Sequence, residues 1–267
     1  MFTGREELIL LDELDLDTGE ARDTIVRFIQ EEFGKAGFSR AVLGLSGGID
    51  SALACYLAVE ALGPENVRAL LMPYGSGNPG GEADAWLVIG KLRIPWVKID
   101  ITPMVDPLVR LYPEMNARRK GNIMARARMI VLYDQSEEFR GLVVGTSNKT
   151  EILLGYFTLW ADSAAAIKPL GDLYKCQVRQ LARIVGVPER IVRKAPSADL
   201  WEGQTDEGEL GFSYDVADQV LYLFLEEEKS EEEIVEQGFP QGLVRHVLQR
   251  MRATAFKRGP IPTPRLR

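Results

Sequence analysis

A glycine-rich turn between an apolar strand and an apolar helix constrains the fold of this chain more than any other feature. The run at 41–45 (Ala-Val-Leu-Gly-Leu) leads into a turn at 46–51 (Ser-Gly-Gly-Ile-Asp-Ser), and an apolar helical pattern follows. Glycine lets a backbone turn tightly and approach a ligand closely, and the free N–H groups at the start of a helix favour an anion. The pattern therefore predicts a strand–turn–helix unit that binds phosphate.

Asp50 in this turn predicts that a metal ion binds together with the phosphate. A carboxylate repels phosphate unless a divalent cation lies between them, which favours Mg²⁺ and a metal-bound polyphosphate. The turn lacks the Gly-Lys-Ser/Thr ending of a Walker A loop and the Gly-x-Gly-x-x-Gly spacing of a dinucleotide turn. The alternative is an ordinary βα turn with a serine cap, and the combination of Ser46, Asp50 and Ser51 makes it the weaker interpretation.

Strand and helix patterns alternate through the first half of the chain, and this alternation predicts an α/β fold with a parallel sheet covered by helices. Right-handed crossovers would place the loops after the strands at one edge, where ligands bind. The strand patterns lie at 41–45, 67–72, 95–101 and 141–146, and the helical patterns between them lie at 51–62, 82–92 and 116–135.

The remaining segments predict one domain over 1–267 with helical additions at both ends. Residues 1–38 form an acidic helical region, and the tail at 259–267 is expected to be extended. The segment 195–212 has no clear period, so we expect a functional or unstructured loop there. A helical C-terminal extension is predicted by the patterns at 175–185, 213–228, 230–237 and 240–256.

Composition excludes several classes of function for this chain of 267 residues. A net charge of -7 argues against general nucleic-acid binding. We expect no membrane association, because the N-terminus lacks a signal-peptide pattern and no apolar stretch approaches the ~20 residues of a membrane span. Cys55 and Cys176 form no paired motif, which favours reduced thiols in the cytoplasm. The single histidine, His246, excludes a His-rich zinc site and disfavours a cysteine–histidine glutaminase site.

The segment after the fourth strand pattern offers a second carboxylate. Thr146 would lie at the carboxyl end of a strand, beside the turn at 46–51. Glu151 has two interpretations that the spacing leaves open. It completes a capping box with Asn148, or it joins Asp50 in binding a metal ion.

Three basic residues are candidates for phosphate binding, each with an ordinary alternative. Lys175 stands early in a helical pattern, where the helix dipole is unfavourable to a cation unless an anion lies nearby; otherwise it is a solvated surface lysine. Arg126 and Arg128 flank the apolar stripe of an amphipathic helix. They either border a packing face or bind phosphate in bidentate fashion.

Together these segments resemble the ammonia-dependent NAD synthetases, a family of N-type ATP pyrophosphatases with the SGGxDS turn. The matching segments follow the order of that family and cover most of residues 40–215. The resemblance implies a doubly wound parallel sheet of about five strands, of the adenine nucleotide alpha-hydrolase type. The segments are 44–51, 72–74, 121–129, 145–158, 171–175 and 196–211.

The resemblance also implies a reaction. ATP adenylates the nicotinate carboxylate of deamido-NAD with release of pyrophosphate, and ammonia then attacks the acyl-adenylate to give NAD and AMP. Free ammonia is the expected nitrogen donor, because the chain has no room for the nitrilase-like domain of the glutamine-dependent relatives. The family forms homodimers with the dinucleotide site at the subunit interface, which makes the helix at 116–135 a candidate interface element.

The resemblance assigns roles to individual residues. Asp50 and Glu151 resemble the magnesium ligands, and Asp50, Lys175 and Asp162 the catalytic group, with Asp162 near the reacting nicotinate. Arg126 and Lys257 resemble positions that hold deamido-NAD, and the segment 197–212 resembles a lid. The implied ATP contacts are Gly44, Leu45, Ser46, Gly47, Gly48, Ile49, Asp50, Ser51, Thr146, Lys175 and Ser197.

Three positions depart from the pattern of the family, and all would lie in its dinucleotide site. Leu159 stands where the family usually has Lys, Ala166 where it has Asp, and Phe256 where it has His. Each change removes a polar or charged contact, and a hydrogen bond to a charged group contributes of order 1.5–3 kcal/mol to the free energy of binding. Two alternatives to NAD synthetase therefore remain open: an adenylating amide ligase for a different carboxylate, and a nucleotide-binding pseudoenzyme.

Overall fold

A four-stranded parallel sheet lies at the centre of the fold in the computed structural model, which describes residues 11–75, 77–198, 200–201 and 203–266. The strands are β1 (Ala41–Gly44), β2 (Val67–Leu71), β3 (Trp96–Lys98) and β4 (Leu142–Val143). The helices are α1 (Thr18–Ala36), α2 (Ile49–Leu62), α3 (Pro79–Leu92), α4 (Thr102–Leu111), α5 (Ala117–Phe139), α6 (Lys149–Leu154), α7 (Lys175–Ile184), α8 (Glu189–Val192), α9 (Asp206–Leu210), α10 (Tyr214–Leu225), α11 (Glu231–Glu236) and α12 (Gln241–Ala253).

The strand order β3-β2-β1-β4 confirms the predicted parallel sheet. Ala41 of β1 is opposite Val67 of β2 on one side and Leu142 of β4 on the other. The chain moves outward from β1 in both directions, so β1 and β4 border the switch point at which such sheets bind ligands. The resemblance implies about five strands, and a single parallel bridge between Val144 and Ile167 stands where a fifth would begin.

Helices cover both faces of the sheet, because successive side chains of a strand point to opposite faces. Leu43 packs with Phe33 of α1 and Val178 of α7 in one buried cluster. The neighbouring Val42 points the other way and packs with Met124 of α5. This arrangement is the doubly wound architecture that the resemblance implies.

A separate apolar cluster holds the C-terminal helices together and confirms the predicted extension. Tyr214 of α10, Ile234 of α11 and Val247 of α12 are buried in it. Leu154 of α6 and Leu14 from the N-terminal side join the same cluster. The extension is therefore packed directly against the segment that follows β4.

Several boundaries differ from the sequence predictions. The strand β3 is shorter than 95–101, because it lies at the edge of the sheet and Trp96 is half exposed. The segment 195–212 is not wholly irregular: it contains α9, whose N-cap Thr205 accepts a hydrogen bond from the Gly208 N–H and whose Leu210 is buried. A helix of five residues is too short to give a periodic pattern, and the pattern did not predict it.

The ends of the chain are only partly described. The helix α1 lies within the predicted region 1–38, of which residues 1–10 lie outside the described residues. Residues 260–266 form neither helix nor strand, and residue 267 lies outside the description. No helix in the described ranges has the length and apolar character that a membrane crossing requires.

Candidate active site

The turn at 46–51 is shaped by one glycine that no other residue can replace without strain. Gly47 has a φ of +78°, and a Cβ atom at this position would lie 2.0 Å from the Gly81 carbonyl oxygen of α3. The next residue, Gly48, is the N-cap of α2 and offers no side chain to cap the helix. The first N–H groups of α2 are therefore left to an anion at the carboxyl end of β1.

Two serines close the turn. The Ser46 and Ser51 hydroxyl groups lie 3.2 Å apart, and the Ser51 hydroxyl donates to the Gly48 carbonyl at 3.0 Å. The Gly48 N–H donates to the Ser46 Oγ at 3.2 Å. Because α2 begins at Ile49, Asp50 lies in its first turn and not before it as the predicted start at 51 implied.

Lys175 joins the turn to the segment after β4. Its Nζ lies 2.6 Å from Asp50 Oδ2 and 3.1 Å from Glu151 Oε1, although its side chain is only 2% exposed. The alternative of a solvated surface lysine is therefore wrong. The first residue of α7 carries a buried ammonium group that two carboxylates balance, and Asp206 adds a third negative charge nearby.

Three acidic side chains, Asp50, Glu151 and Asp206, surround the single lysine of this centre. Burial alone would lower the pKa of Lys175, but Asp50 and Glu151 outweigh that effect and raise it, so the ammonium stays charged. Burial raises the pKa of Glu151, with Lys175 opposing the shift and Asp50 adding to it. One lysine therefore does not keep the pKa of Glu151 at its ordinary value, and a further cation would favour the ionised carboxylate.

The capping box of Glu151 is present in the structure, and metal binding with Asp50 stays a prediction. Its backbone N–H donates to the Asn148 side chain at 2.9 Å, and its carboxylate accepts from the Asn148 N–H at 3.4 Å, which together form the capping box. The same carboxylate also reaches Lys175. Asn148 has a further role that the sequence did not reveal, because its amide group donates to Asp50 Oδ1 at 2.8 Å.

Hydrogen bonds to Thr150 of α6 and to Asp218 of α10 hold the backbone at the start of α7, where Lys175 lies. The Lys175 N–H donates to Thr150 Oγ1 at 3.0 Å, and the Thr150 hydroxyl donates in turn to Asp218 of α10. Asp218 also accepts the Cys176 N–H at 2.8 Å. The Lys175 ammonium lies 4.9 Å from the centre of the Tyr214 ring, a cation–π contact that helps to keep it buried.

The donor set at this centre fits a magnesium ion. Asp50 and Glu151 both contact the Lys175 ammonium, so their carboxylates lie close together, and Mg²⁺ typically takes one or two carboxylates together with phosphate oxygens and water. No group of three or more acidic, His or Cys side chains in the described ranges is arranged to hold a metal ion. The protein would thus supply part of a coordination shell that a bound polyphosphate completes.

A cavity of about 740 Å³ opens at the carboxyl edge of β1 and β4. Every predicted site residue lines it except Gly47, which shapes the turn behind the wall. Leu159 and Phe256, two of the departures from the family pattern, also line the cavity, whereas Ala166 does not. The predicted residues in the lining are Gly44, Leu45, Ser46, Gly48, Ile49, Asp50, Ser51, Arg126, Thr146, Glu151, Asp162, Lys175, Ser197 and Lys257.

The far part of the cavity contains the residues expected to bind the acid. Asp162 Oδ1 accepts the Thr158 N–H at 2.9 Å, and the surrounding protein raises the pKa of this carboxyl although solvent reaches it. Lys257 Nζ lies 2.7 Å from two main-chain carbonyl oxygens, those of Gly155 and Phe157. Burial lowers the pKa of Lys257, and the nearby Arg250 lowers it further.

Arg126 and Arg128 have separate positions on α5. Arg126 is exposed at the cavity and donates to the Leu159 carbonyl oxygen at 3.1 Å. Because this contact is with the main chain, it does not depend on which side chain residue 159 carries. Arg128 donates to the Met72 carbonyl oxygen at 3.1 Å and connects α5 to the end of β2.

The segment after α8 lies against the cavity and is held by its own hydrogen bonds. The Ser197 hydroxyl donates to the Gln204 carbonyl oxygen at 2.8 Å, and Gln204 Oε1 accepts the Leu200 N–H at 2.8 Å. A Cβ atom on Gly121 of α5 would lie 3.0 Å from Leu200 and 3.5 Å from Trp201. The segment thus packs closely against α5 at Gly121, where the helix has no side chain.

Sequence reasoning did not assign several residues of the cavity wall. The Tyr156 hydroxyl lies 3.1 Å from Asp206 Oδ1 and 2.6 Å from Glu209 Oε2, and the Arg250 guanidinium lies 5.8 Å from the centre of its ring. Arg118 lines the same region. The two arginines follow no recognisable motif, so only the packing of α12 and α5 against the cavity identifies them.

Comparison with known sequences gives a consistent family. A family model described as NAD synthase matches residues 22–261. The NH(3)-dependent NAD(+) synthetase of Trichlorobacter lovleyi is 51% identical over 92% of this chain and 90% of its own length. The NH(3)-dependent NAD(+) synthetase of Fusobacterium nucleatum subsp. nucleatum is 50% identical over 93% of this chain and 96% of its own.

Solved structures give the same fold. The NH3-dependent NAD synthetase of Campylobacter jejuni, solved in complex with the nitrate ion, has a TM-score of 0.80 and 34% identity, covering 94% of this chain and 100% of its own. The NMN synthetase of Francisella tularensis has a TM-score of 0.83 and 33% identity, covering 94% of this chain and 99% of its own. Enzymes named for two different pyridine nucleotides therefore share this fold at similar identity.

Proposed function

The chain belongs to the NAD synthase family, and we propose how its residues divide the work of the reaction. It is a ligase that uses ATP and ammonia to amidate deamido-NAD. The observation that supports this division of work is the convergence of Asp50, Glu151 and Lys175 beside the turn at 46–51, in the cavity that also contains Asp162. Nucleotide activation and acid binding can thus occur side by side.

ATP binds at the turn in this proposal. The free N–H groups at the start of α2 and the serine hydroxyls hold the phosphates, with Thr146 and Ser197 bordering the same cavity. A nicotinate carboxylate oxygen attacks the α-phosphorus, the bond to the departing pyrophosphate breaks, and an acyl-adenylate forms. Lys175 stabilises the charge that develops on pyrophosphate, because its ammonium is buried and pre-oriented.

Magnesium is the cofactor that these residues suit. Asp50 and Glu151 would hold the ion, and the raised pKa of Glu151 supports this assignment, because a further cation beside it would favour the ionised carboxylate. When bound, the ion neutralises charge on the phosphates and makes pyrophosphate a better leaving group.

The second half of the reaction uses the far part of the cavity. Ammonia attacks the acyl carbon, the bond to AMP breaks, and one proton leaves the nitrogen as the amide forms. Asp162 can hold the ammonia by accepting an N–H and can then take this proton, because its surroundings raise the pKa of the carboxyl. Arg126 and Lys257 hold the rest of deamido-NAD at the same end.

We also propose that the chain acts as a homodimer in the cytoplasm. Large apolar side chains are exposed on the adjoining helices α4 and α5, among them Leu111, Ile130 and Tyr133, and we infer that they form one apolar patch. Such a patch is typical of a protein interface, and α5 also carries Arg126. Cys55 and Cys176 are both buried and form no disulfide, which supports a reducing compartment.

A second candidate function is amidation of a smaller acid, the deamidated form of NMN. Two observations favour it: the neighbour from Francisella tularensis is named for NMN, and Leu159 and Phe256 place apolar side chains in the cavity wall. Both candidates use the same adenylation centre and differ only in the length of the acid. Offering the two acids together, with each product measured separately, distinguishes them.

Formation of NAD tests the proposal directly. Purified protein is incubated with deamido-NAD, ATP, Mg²⁺ and ammonium, and NAD, AMP and pyrophosphate are expected in equal amounts. Asp50→Ala should abolish the three products, while Asp23→Ala, at an exposed position of α1, should not. Absence of NAD from a wild-type protein that binds ATP and Mg²⁺ would refute the proposal.

A further inference from the structure

Arg118 and Arg250 line the cavity, and no acidic side chain is paired with either of them in the described ranges. Within the described ranges their guanidinium groups form no ion pair and no hydrogen bond, and the buried Nε of Arg250 has no acceptor. Both side chains line the cavity. A buried guanidinium N–H normally finds an acceptor, because an unpaired one costs about 1–3 kcal/mol. These groups therefore have donors to spare for a ligand.

The two arginines approach a third cation. Besides the loss of hydration on burial, Arg118 acts on Arg250 to lower its pKa, and both arginines lower the pKa of Lys257. The geometry also brings Arg250 and Lys257 together, because Arg250 contacts the Tyr156 ring and Lys257 Nζ contacts the carbonyl oxygens of the residues on either side of Tyr156. Arg118 also stands in the first turn of α5, where the helix dipole is unfavourable to a cation. An anion bound among them would relieve both effects.

Two carboxylates border the group without neutralising it. Glu209 acts on Arg250 and Asp162 on Lys257, but neither forms an ion pair with them in the described part of the chain. The carboxylate of Glu209 accepts instead from the Tyr156 hydroxyl and from Gln204. The positive charge of the group is therefore left for a ligand.

The position of the group selects which anion it binds. Asp206 attracts Lys175 electrostatically and contacts the Tyr156 hydroxyl, and the ring of Tyr156 lies against Arg250. Carboxylates thus separate the group from the turn that binds ATP. Asp162 and Lys257 interact, so the group adjoins the end of the cavity expected to hold the nicotinate. In a nicotinate nucleotide, a phosphate follows the ribose at that end.

We propose that Arg118 and Arg250, together with Lys257, form a subsite that binds the phosphate next to the nicotinate riboside of the acid substrate. Arginine suits this role because its planar group binds phosphate in bidentate fashion. The proposal rests on the function given above and deepens it, because it assigns the charged middle of the acid to residues on α5 and α12. Either a mononucleotide or a dinucleotide would present this phosphate.

Michaelis constants for the three substrates test the subsite. Arg250→Gln and Arg118→Gln should each raise KM for deamido-NAD about tenfold or more, the effect of losing a charge-assisted hydrogen bond. KM for ATP and for ammonium should change less than about twofold. Arg250→Lys should restore part of the loss, because it returns the charge without the bidentate geometry.

Arg245→Gln is the matched control. Arg245 lies on the same helix, is exposed and does not line the cavity, so this change should leave all three constants unaltered. An equal rise in KM for ATP would place the subsite on the phosphates of ATP and overturn the proposal. An unchanged KM for deamido-NAD in both variants would also overturn it.

Equilibrium binding separates this proposal from the function on which it rests. Calorimetry with deamido-NAD in the absence of ATP should show wild-type binding that Arg250→Gln weakens by a similar factor. If wild-type protein makes no NAD yet shows this difference in binding, the function fails and the subsite stands. If wild-type protein makes NAD and binds the acid no better than the variant, the subsite fails alone.

Discussion

The Asn148 amide donates to the Asp50 carboxylate at 2.8 Å, although the two residues are 98 positions apart in the chain. Asn148 also caps α6 by accepting the Glu151 N–H. One side chain thus sets the start of a helix and the orientation of the carboxylate in the turn. Helix capping and the adenylation centre are joined at a single residue.

Asn148→Asp should separate these two roles. Aspartate caps a helix as well as asparagine does, but it replaces the amide donor with a second negative charge beside Asp50. We expect KM for ATP to rise and kcat to fall by roughly tenfold, the cost of losing a hydrogen bond to a charged group. Asn116→Asp, at the exposed N-cap of α5, is the control and should leave both constants unchanged. Equal kinetics in the two variants would contradict the orienting role of Asn148.

Lys175→Met should remove the cation at the centre of the site. We expect kcat to fall about 100-fold or more, as when a donor to developing charge is lost. The free energy of unfolding should fall by about 3 kcal/mol, because Asp50 and Glu151 lose their buried partner. Steady-state kinetics and urea unfolding measure the two effects.

The control for that change is Lys149→Met. Lys149 pairs with Asp172 and Glu226 near the surface and does not line the cavity. Its replacement should cost about 1 kcal/mol or less and leave kcat near the wild-type value. A loss of activity as large as that of Lys175→Met would show that the effect is not specific to the cation of the site.

Gly47→Ala should damage both folding and ATP binding. A non-glycine residue at this positive φ costs about 1–2 kcal/mol, and its Cβ would overlap the Gly81 carbonyl. We expect a loss of at least 2 kcal/mol in urea unfolding, of the order of that backbone strain, and a higher KM for ATP. Gly34→Ala, in the interior of α1 with open space around it, should instead add about 0.5–1 kcal/mol. Similar stability of the two variants would refute the steric role of Gly47.

Asp218 should make stability depend on pH. Burial raises the pKa of its carboxyl to about 6, above the value of an unfolded aspartate. Between pH 4 and pH 6 the folded chain therefore holds a proton that the unfolded chain has lost, and the free energy of unfolding falls as pH rises.

Asp218→Asn does not titrate and serves as the reference for this measurement. The free energy of unfolding of wild type relative to Asp218→Asn should decline from pH 4 to about pH 6 and stay level above it. Urea unfolding at a series of pH values gives this difference. A difference that rises over the same range would show that the hydrogen bonds to Thr150 and Cys176 outweigh the effect of burial.

Ile130→Glu should dissociate the proposed homodimer. Ile130 is 55% exposed on α5 within the apolar surface, and a buried glutamate would be unpaired there. Light scattering should give about twice the chain mass of 29.8 kDa for wild type and the single mass for the variant. Ile184→Glu, at a residue 62% exposed on α7, should leave the mass of the dimer unchanged. A monomeric wild type would refute the proposal.

Local sequence was sufficient to predict the sheet and the turn. The apolar run at 41–45 and the glycines after it predict β1 and the start of α2 because each interaction there spans only a few residues. Boundaries were less predictable. The edge strand β3 is short and α9 has only five residues, so neither gives a full period.

The candidate site depended on contacts that sequence spacing does not reveal. Lys175 alone in its helix looks like either a surface residue or a phosphate ligand, and only the fold brings Asp50 to it from 125 positions away. The capping box at Glu151 is visible in the sequence, whereas its contact with Lys175 is not. Arg118 and Arg250 have no motif, and the cavity identifies them only once α5 and α12 are in place.

The hydrogen bond from the Cys176 N–H to Asp218 can form only after most of the chain has been synthesised. The two residues are 42 positions apart, and the sheet lies entirely before the first of them. Translation therefore delivers the turn and its carboxylates before α10 exists to hold the lysine. Asp50 and Glu151 are available to the ammonium group of Lys175 as soon as it is made, but the contacts from Asp218 and Tyr214 form only after α10 has emerged. The last part of the adenylation centre to assemble is therefore the support that α10 gives to the start of α7.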